Sequence, residues 1–81
     1  MKKSYNPILR NGELNPLEKK EVQVIQLLCD GNNIESVAKS LFKSKDTINN
    51  YIRLAKTKLN AGSRDQLIAM AVKKELVDVT F

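Results

Sequence analysis

Four polar side chains in the middle of the chain recur at helical spacing. They are separated by four, four and three residues, which places them on one face of an α-helix. An asparagine amide can pair with adenine, and an arginine guanidinium with guanine, through two hydrogen bonds in the major groove. The row therefore indicates recognition of double-stranded DNA, and the competing interpretation is a solvated basic helix face. In chain order the four residues are Lys45, Asn49, Arg53 and Lys56.

The same segment offers two kinds of contact to a duplex. Base contacts are assigned to Asn49, Asn50 and Arg53, because their side chains can pair with base edges. Phosphates supply most of the affinity for DNA, and they are met by cations, hydroxyls and the positive end of a helix dipole. The phosphate contacts predicted from this segment are Ser44, Lys45, Thr47, Lys56 and Lys58.

The charge of the chain is concentrated where these residues lie. The formal net charge of the 81 residues is +5. Residues 43–58 contain five Lys or Arg and one Asp, so this segment alone carries +4. A cluster of this kind favours a polyanionic partner.

Residue usage excludes the common forms of catalysis. The chain has no histidine and one cysteine, Cys29. Nucleophiles of the Ser-His-Asp and Cys-His types and the common zinc sites are therefore excluded. We interpret Cys29 as a buried thiol that behaves as a small hydrophobic residue. We expect no catalytic residue, metal ion or cofactor, and we expect that the protein is not an enzyme.

The first helix signal is a capping pattern. Asn15 suits an N-cap and Pro16 suits the first helical position, while Glu18 can return a bond to the cap. This predicts a helix that runs to about Cys29, where Gly31 provides a left-handed C-cap.

Three more helices follow, and strand signals are weak. Apolar spacing predicts a short helix from Ile34 to about Phe42 and a longer one over 45–59. Ser63 opens a fourth helix that ends near Lys74. The second and third fit a helix-turn-helix within an all-α, four-helix fold. The third helix directs an apolar stripe to the core, made of Ile48, Ile52, Ala55 and Leu59.

The length of the chain predicts one small domain. Residues 1–13 contain turn signals and basic residues, so we expect a flexible basic arm before a domain over 14–81. A short strand-like tail covers 77–81. Since no apolar run approaches the roughly 20 residues of a membrane helix, we expect a cytoplasmic, nucleoid-associated protein with no membrane contact.

The motifs together resemble the LuxR/GerE-type helix-turn-helix family, the DNA-binding module of many bacterial transcription regulators. The similarity extends from about Leu14 to Val77, and the spacing from Gly31 to Leu59 fits without a gap. In size the chain is similar to the single-domain regulators of which GerE is the type. The segments that carry the resemblance are Leu27–Gly31, Val37–Leu41, Ser44–Ile52, Lys58–Ala61 and Ser63–Arg64.

The resemblance implies a third helix in the major groove, with Arg64 at the start of the fourth helix as a further phosphate contact. Family members commonly form a two-fold dimer through the fourth helix, which implies a homodimer here. The residues expected on that outer face are Leu67, Met70 and Lys74.

The sequence also departs from the family pattern near its start. Three extra residues separate the Asn15–Glu18 segment from Leu27. Either the first helix is nearly a turn longer, or Leu17 rather than Leu14 begins the match. The alternative function is a protein-interaction module, which would use the fourth helix to pair with a related regulator or with RNA polymerase.

Overall fold

The computed structural model of the chain describes residues 7–9 and 12–77. Within them lie four α-helices and no strand, which confirms the predicted all-α, four-helix class. The predictions for residues 1–6, 10–11 and 78–81, which include most of the basic arm and the strand-like tail, lie outside the described residues. The helices are α1 (Lys19–Cys29), α2 (Ile34–Leu41), α3 (Lys45–Leu59) and α4 (Arg64–Lys73).

The start of α1 differs from the sequence prediction. Glu18, not Asn15, is the N-cap, and its side chain forms a reciprocal capping box with Glu21. The Oδ1 atom of Asn15 instead accepts from the backbone N–H of Leu17 at 3.0 Å, which closes a turn before the helix. Leu17 is 1% exposed. The helix therefore begins later than predicted and is not longer, and Leu17 is buried in the segment before it.

The other helix boundaries follow local hydrogen bonding. Asn33 caps α2 by accepting from the N–H of Ser36, and Ser44 caps α3 by accepting from the N–H of Thr47. Both α2 and α3 end at a left-handed residue, Phe42 at φ 57° and Asn60 at φ 56°. The turn between α2 and α3 is consequently only three residues long, as in a helix-turn-helix.

The third helix is the centre of the fold, because α1, α2 and α4 all pack on it. Its predicted stripe is confirmed: Ile48 and Ala55 are fully buried, and Ile52 and Leu59 nearly so. Large-to-small changes in such a stripe cost about 2–5 kcal/mol. The inner face of α3 is therefore fixed firmly by three neighbouring helices.

Residues 7–9 and 12–15 pair through their backbones before α1, and together they form the N-terminal hairpin. The N–H of Leu9 donates to the carbonyl of Glu13 at 2.8 Å, and the N–H of Asn15 donates to Pro7 at 2.8 Å. Ile8 and Leu14 form an isolated antiparallel bridge across it. The domain boundary at residue 14 stays a prediction.

The described helices are all short compared with a bilayer. None of them in residues 12–77 has the length and apolar character needed to cross a membrane.

Candidate nucleic-acid interface

The outer face of α3 is open to solvent. Asn49, Asn50 and Arg53, the three predicted base contacts, are all exposed on the side opposite the buried stripe. Asn49 and Arg53 lie four residues apart, and Asn50 directly follows Asn49. The structure thus brings the three side chains together on one surface, and the rest of the described chain does not cover them.

Two of these side chains also contact each other. The Nη2 atom of Arg53 donates a hydrogen bond to Oδ1 of Asn50, three residues earlier on the helix. The bond restricts the guanidinium and uses only the oxygen of Asn50, so the N–H₂ group can still donate to another acceptor. Asn50 and Arg53 are neighbours on the helix surface, so their i, i+3 spacing in the sequence could have predicted this hydrogen bond.

A shallow groove runs between α3 and the start of α4. Its polar lining includes Asn49 and Arg53 from α3 together with Lys56 from the next turn. Ser63 and Arg64 line the opposite wall. Three cations therefore converge on one groove with a single carboxylate in the lining, that of Asp65, which suits a negatively charged ligand such as a phosphodiester.

The N-terminus of α3 lies at the other end of this surface. The Oγ atom of Ser44 accepts from the backbone N–H of Thr47 at 3.1 Å, and the two hydroxyls are 2.9 Å apart. Both predicted phosphate contacts are thus part of the helix cap. Lys45 is exposed beside them, at the end where the helix dipole is positive.

Lys58 is held elsewhere. Its Nζ atom lies 2.7 Å from Oε1 of Glu21 on α1, and the Glu21 side chain is completely buried. The same Oε1 accepts from the backbone N–H of Glu18 at 2.8 Å, so one carboxylate oxygen ties the start of α1 to the last turn of α3. Lys58 does not line the groove that contains Lys56. This geometry argues against the prediction of Lys58 as a phosphate contact, because the ammonium already serves a buried carboxylate.

The predicted dimer face of α4 divides in two. Met70 is half-buried and Lys74 is exposed, as an outer face requires. Leu67 is instead 0% exposed and belongs to the core with Ala71, so its side chain has no surface to offer a partner. The structure therefore corrects the assignment of Leu67 to the dimer face.

The sequence analysis did not single out two residues near the ends of the site's elements. Glu21 was not singled out, although it lies three residues after Glu18, as a capping box requires. Phe42 is 93% exposed in the turn before α3, and no sequence pattern marked it as a surface residue. As for metal sites, residues 7–9 and 12–77 contain no group of three or more Cys, Asp or Glu side chains that could hold an ion.

Comparison with known proteins gives a consistent result. A family described as "Bacterial regulatory proteins, luxR family" matches residues 15–71. Transcriptional regulatory protein DesR of Bacillus subtilis is 33% identical over 76 residues, which cover 90% of this chain and 38% of DesR. A putative transcriptional regulator of Pseudomonas aeruginosa is 36% identical over 78 residues, or 93% of this chain and 38% of that protein.

A third relative belongs to another genus. Oxygen regulatory protein NreC of Staphylococcus haemolyticus is 29% identical over 76 residues, or 94% of this chain and 35% of NreC. The chain therefore spans between a third and two fifths of the length of these three relatives. All three are named as regulatory proteins and not as enzymes.

Proposed function

The chain belongs to the LuxR family of bacterial regulatory proteins, and from that premise we propose that α3 binds in the major groove of a specific duplex as part of a homodimeric transcriptional regulator. DNA as a partner and transcription regulation as a role follow from the family. Our proposal adds the placement of α3, the residue contacts and the dimer. The proposal also places the protein in the cytoplasm, in association with the nucleoid.

One observation carries the proposal: the exposed face of α3 holds the base-reading side chains, while its other face is buried. An α-helix with its side chains is about 10–12 Å across, and the major groove is about 12 Å wide. A helix held from behind by three others can enter the groove without exposing its apolar stripe. The exposed positions of Asn49, Asn50 and Arg53 support this orientation.

Each residue has a defined role in this arrangement. Arg53 presents its guanidinium to guanine, and Asn49 and Asn50 present amides to adenine. Phosphates are contacted at both ends of α3 and at the start of α4. The proposed phosphate contacts are Ser44, Lys45, Thr47, Lys56 and Arg64, and Lys58 is left out because of its ion pair with Glu21.

The dimer is proposed from the outer side of α4. Met70 and Lys74 have the exposure that a partner surface requires, and Leu67 does not. A two-fold dimer presents two copies of α3 to two half-sites about one helical turn of DNA apart. The preferred site is therefore an inverted repeat.

Selection of bound duplexes from a random pool tests the proposal. We expect an enriched inverted repeat whose affinity falls steeply with salt. With roughly four to six phosphate contacts per subunit, the log–log slope is about −0.9 per contact. A pool without enrichment, together with no retardation of duplex DNA at low salt, would contradict the function.

The alternative is an interaction module that pairs with a related regulator or with RNA polymerase. It is favoured by the partly buried apolar side chains of Ile68, Met70 and Val72 along α4. Capture of a purified relative or polymerase without any DNA retardation would select this alternative.

A further inference from the structure

Two apolar side chains of the N-terminal hairpin are exposed without an evident role. Leu14 is 74% exposed and Ile8 is 55% exposed, and they are bridged across the hairpin. Three backbone hydrogen bonds of 2.8–2.9 Å join the two segments of the hairpin, and Gly12 adopts a positive φ of 88°, which glycine tolerates. Leu9 packs against the core and anchors the hairpin. The two exposed side chains therefore lie on paired backbone segments that are anchored to the core.

The hairpin and α4 share a groove. Leu14 and Pro16 line one side of it, while Met70, Lys73 and Lys74 line the other. Two of these α4 residues, Met70 and Lys74, are those that the proposed dimer face uses. The exposed side chain of Leu14 is thus continuous with that face, and Ile8 is bridged to Leu14 across the hairpin.

The size of α4 limits the surface that it can offer to a partner. A stable interface buries about 800 Å² on each partner, or some 20–30 residues a side. The ten residues of α4 include fully buried Leu67 and Ala71, which are unavailable to a partner. An interface made by α4 alone would be small, and the hairpin is the adjacent surface that can enlarge it.

The charges of the groove fit a second copy of the chain. The lining contains Glu13 and Glu75 as well as Lys73 and Lys74, so both signs occur in one patch. An isologous interface brings the same patch against itself, and a patch that carries both signs can be complementary to its own copy.

We propose that the N-terminal hairpin extends the dimer interface, with Leu14 and Ile8 of each copy packing against the hairpin–α4 groove of the other. The inference rests on the dimer in the proposed function and adds a surface to it. Its contribution is apolar burial, so a charge introduced at Leu14 weakens association because the charge must be desolvated in the interface.

Sedimentation equilibrium of the full chain tests this, with three single variants. Leu14→Asp should weaken dimerisation by about tenfold or more, a change of about 1.4 kcal/mol or more. Met70→Asp, on α4, should weaken it as well. Phe42→Asp is the matched control, because Phe42 is also highly exposed but lies outside the groove, and its dimerisation should be unchanged. Circular dichroism confirms that each variant is folded.

Binding to a duplex with a single half-site separates this inference from the proposed function. Leu14→Asp should bind the half-site as tightly as the wild type while it dimerises more weakly. Equal dimerisation of Leu14→Asp and wild type, with Met70→Asp monomeric, overturns the hairpin contact and leaves the α4 dimer in place. A wild-type chain that is monomeric both in solution and on an inverted repeat overturns both. If the wild type does not bind the half-site, the proposed function itself is contradicted. The sedimentation result then still decides the hairpin contact.

Discussion

The two faces of α3 have different surroundings. The inner face consists of Ile48, Ile52, Ala55 and Leu59, which are buried against three other helices. The outer face is exposed, and the contact between Asn50 and Arg53 lies within the helix itself. In the proposed function, stability and recognition are therefore specified on opposite sides of one element. A change on the inner face should act on the free energy of unfolding, and a change on the outer face should act on DNA affinity.

Two lysines show this division most clearly. Lys56 and Lys58 are two residues apart, have the same side chain and contribute equally to the net charge. Lys56 lines the groove with Arg53 and Arg64, while Lys58 is paired with buried Glu21. Their surroundings, and not their residue type, decide what each does.

The largest expected effect is loss of the buried ion pair. Lys58→Ala leaves the carboxylate of Glu21 buried without its cation, which costs 3–5 kcal/mol for a fully buried pair. About 3 kcal/mol is expected here, because the Lys58 side chain is 33% exposed and Glu21 keeps a backbone donor. Urea denaturation measures the difference. Lys56→Ala is the matched control and should change the free energy of unfolding little.

A double variant sharpens this result. Replacing both charges, as in Glu21→Gln with Lys58→Met, removes the unpaired carboxylate and should recover most of the lost stability. A Lys58→Ala variant as stable as the wild type would show that the ion pair does not hold α3 to α1.

The next effect is on the outer face. Arg53→Ala should weaken binding to the selected duplex by about 1–3 kcal/mol and relax the preference at one base pair, while the free energy of unfolding stays nearly constant. Fluorescence anisotropy with duplexes that vary at each position measures the affinity and the base preference. An equal loss on every sequence would assign Arg53 to the phosphates and not to a base.

A smaller effect concerns the contact between Asn50 and Arg53. Because Asn50 holds the guanidinium, the losses from Asn50→Ala and Arg53→Ala should not add, and their coupling energy should be about 0.5–1 kcal/mol. The same cycle with Asn49→Ala serves as the control, and its coupling to Arg53 should be near zero. Additive losses in both cycles would mean that Asn50 does not position Arg53.

The smallest effect is expected from Lys56. Lys56→Ala should weaken binding to all duplexes alike and reduce the salt slope by about 0.9, the value for one phosphate contact. A titration with salt on the specific and a scrambled duplex measures this. An unchanged slope would remove Lys56 from the phosphate contacts.

The sequence predicts the third helix well because its signals agree. The apolar positions repeat at four, three and four residues, Ser44 is a strong cap, and polar residues occupy the other face. Competing signals explain the error at the first helix. Asn15 and Pro16 satisfy the local rule for a helix start, but the burial of Leu17 and the capping box of Glu18 place the start later.

Two other features could not be predicted from local patterns. The fourth helix contains a continuous apolar run over 67–72, so its periodicity does not say which positions face inward, and Leu67 was placed outside. The partner of Lys58 lies 37 residues earlier in the chain, and only the packing of α1 on α3 brings the two together. Long-range pairs of this kind leave no spacing signal in a single sequence.

The central claim is that the outer face of α3 contacts DNA, and NMR titration tests it most directly. The isotopically labelled chain is titrated with the selected duplex, and changes are followed at the side-chain amides of Asn49 and Asn50 and at Nε–H of Arg53. We predict that these signals shift most, together with backbone amides near Ser44 and Ser63, while those around Glu21 and the core stripe shift little. Large shifts confined to α1 or the hairpin, with the three side chains of α3 unchanged, would contradict the account.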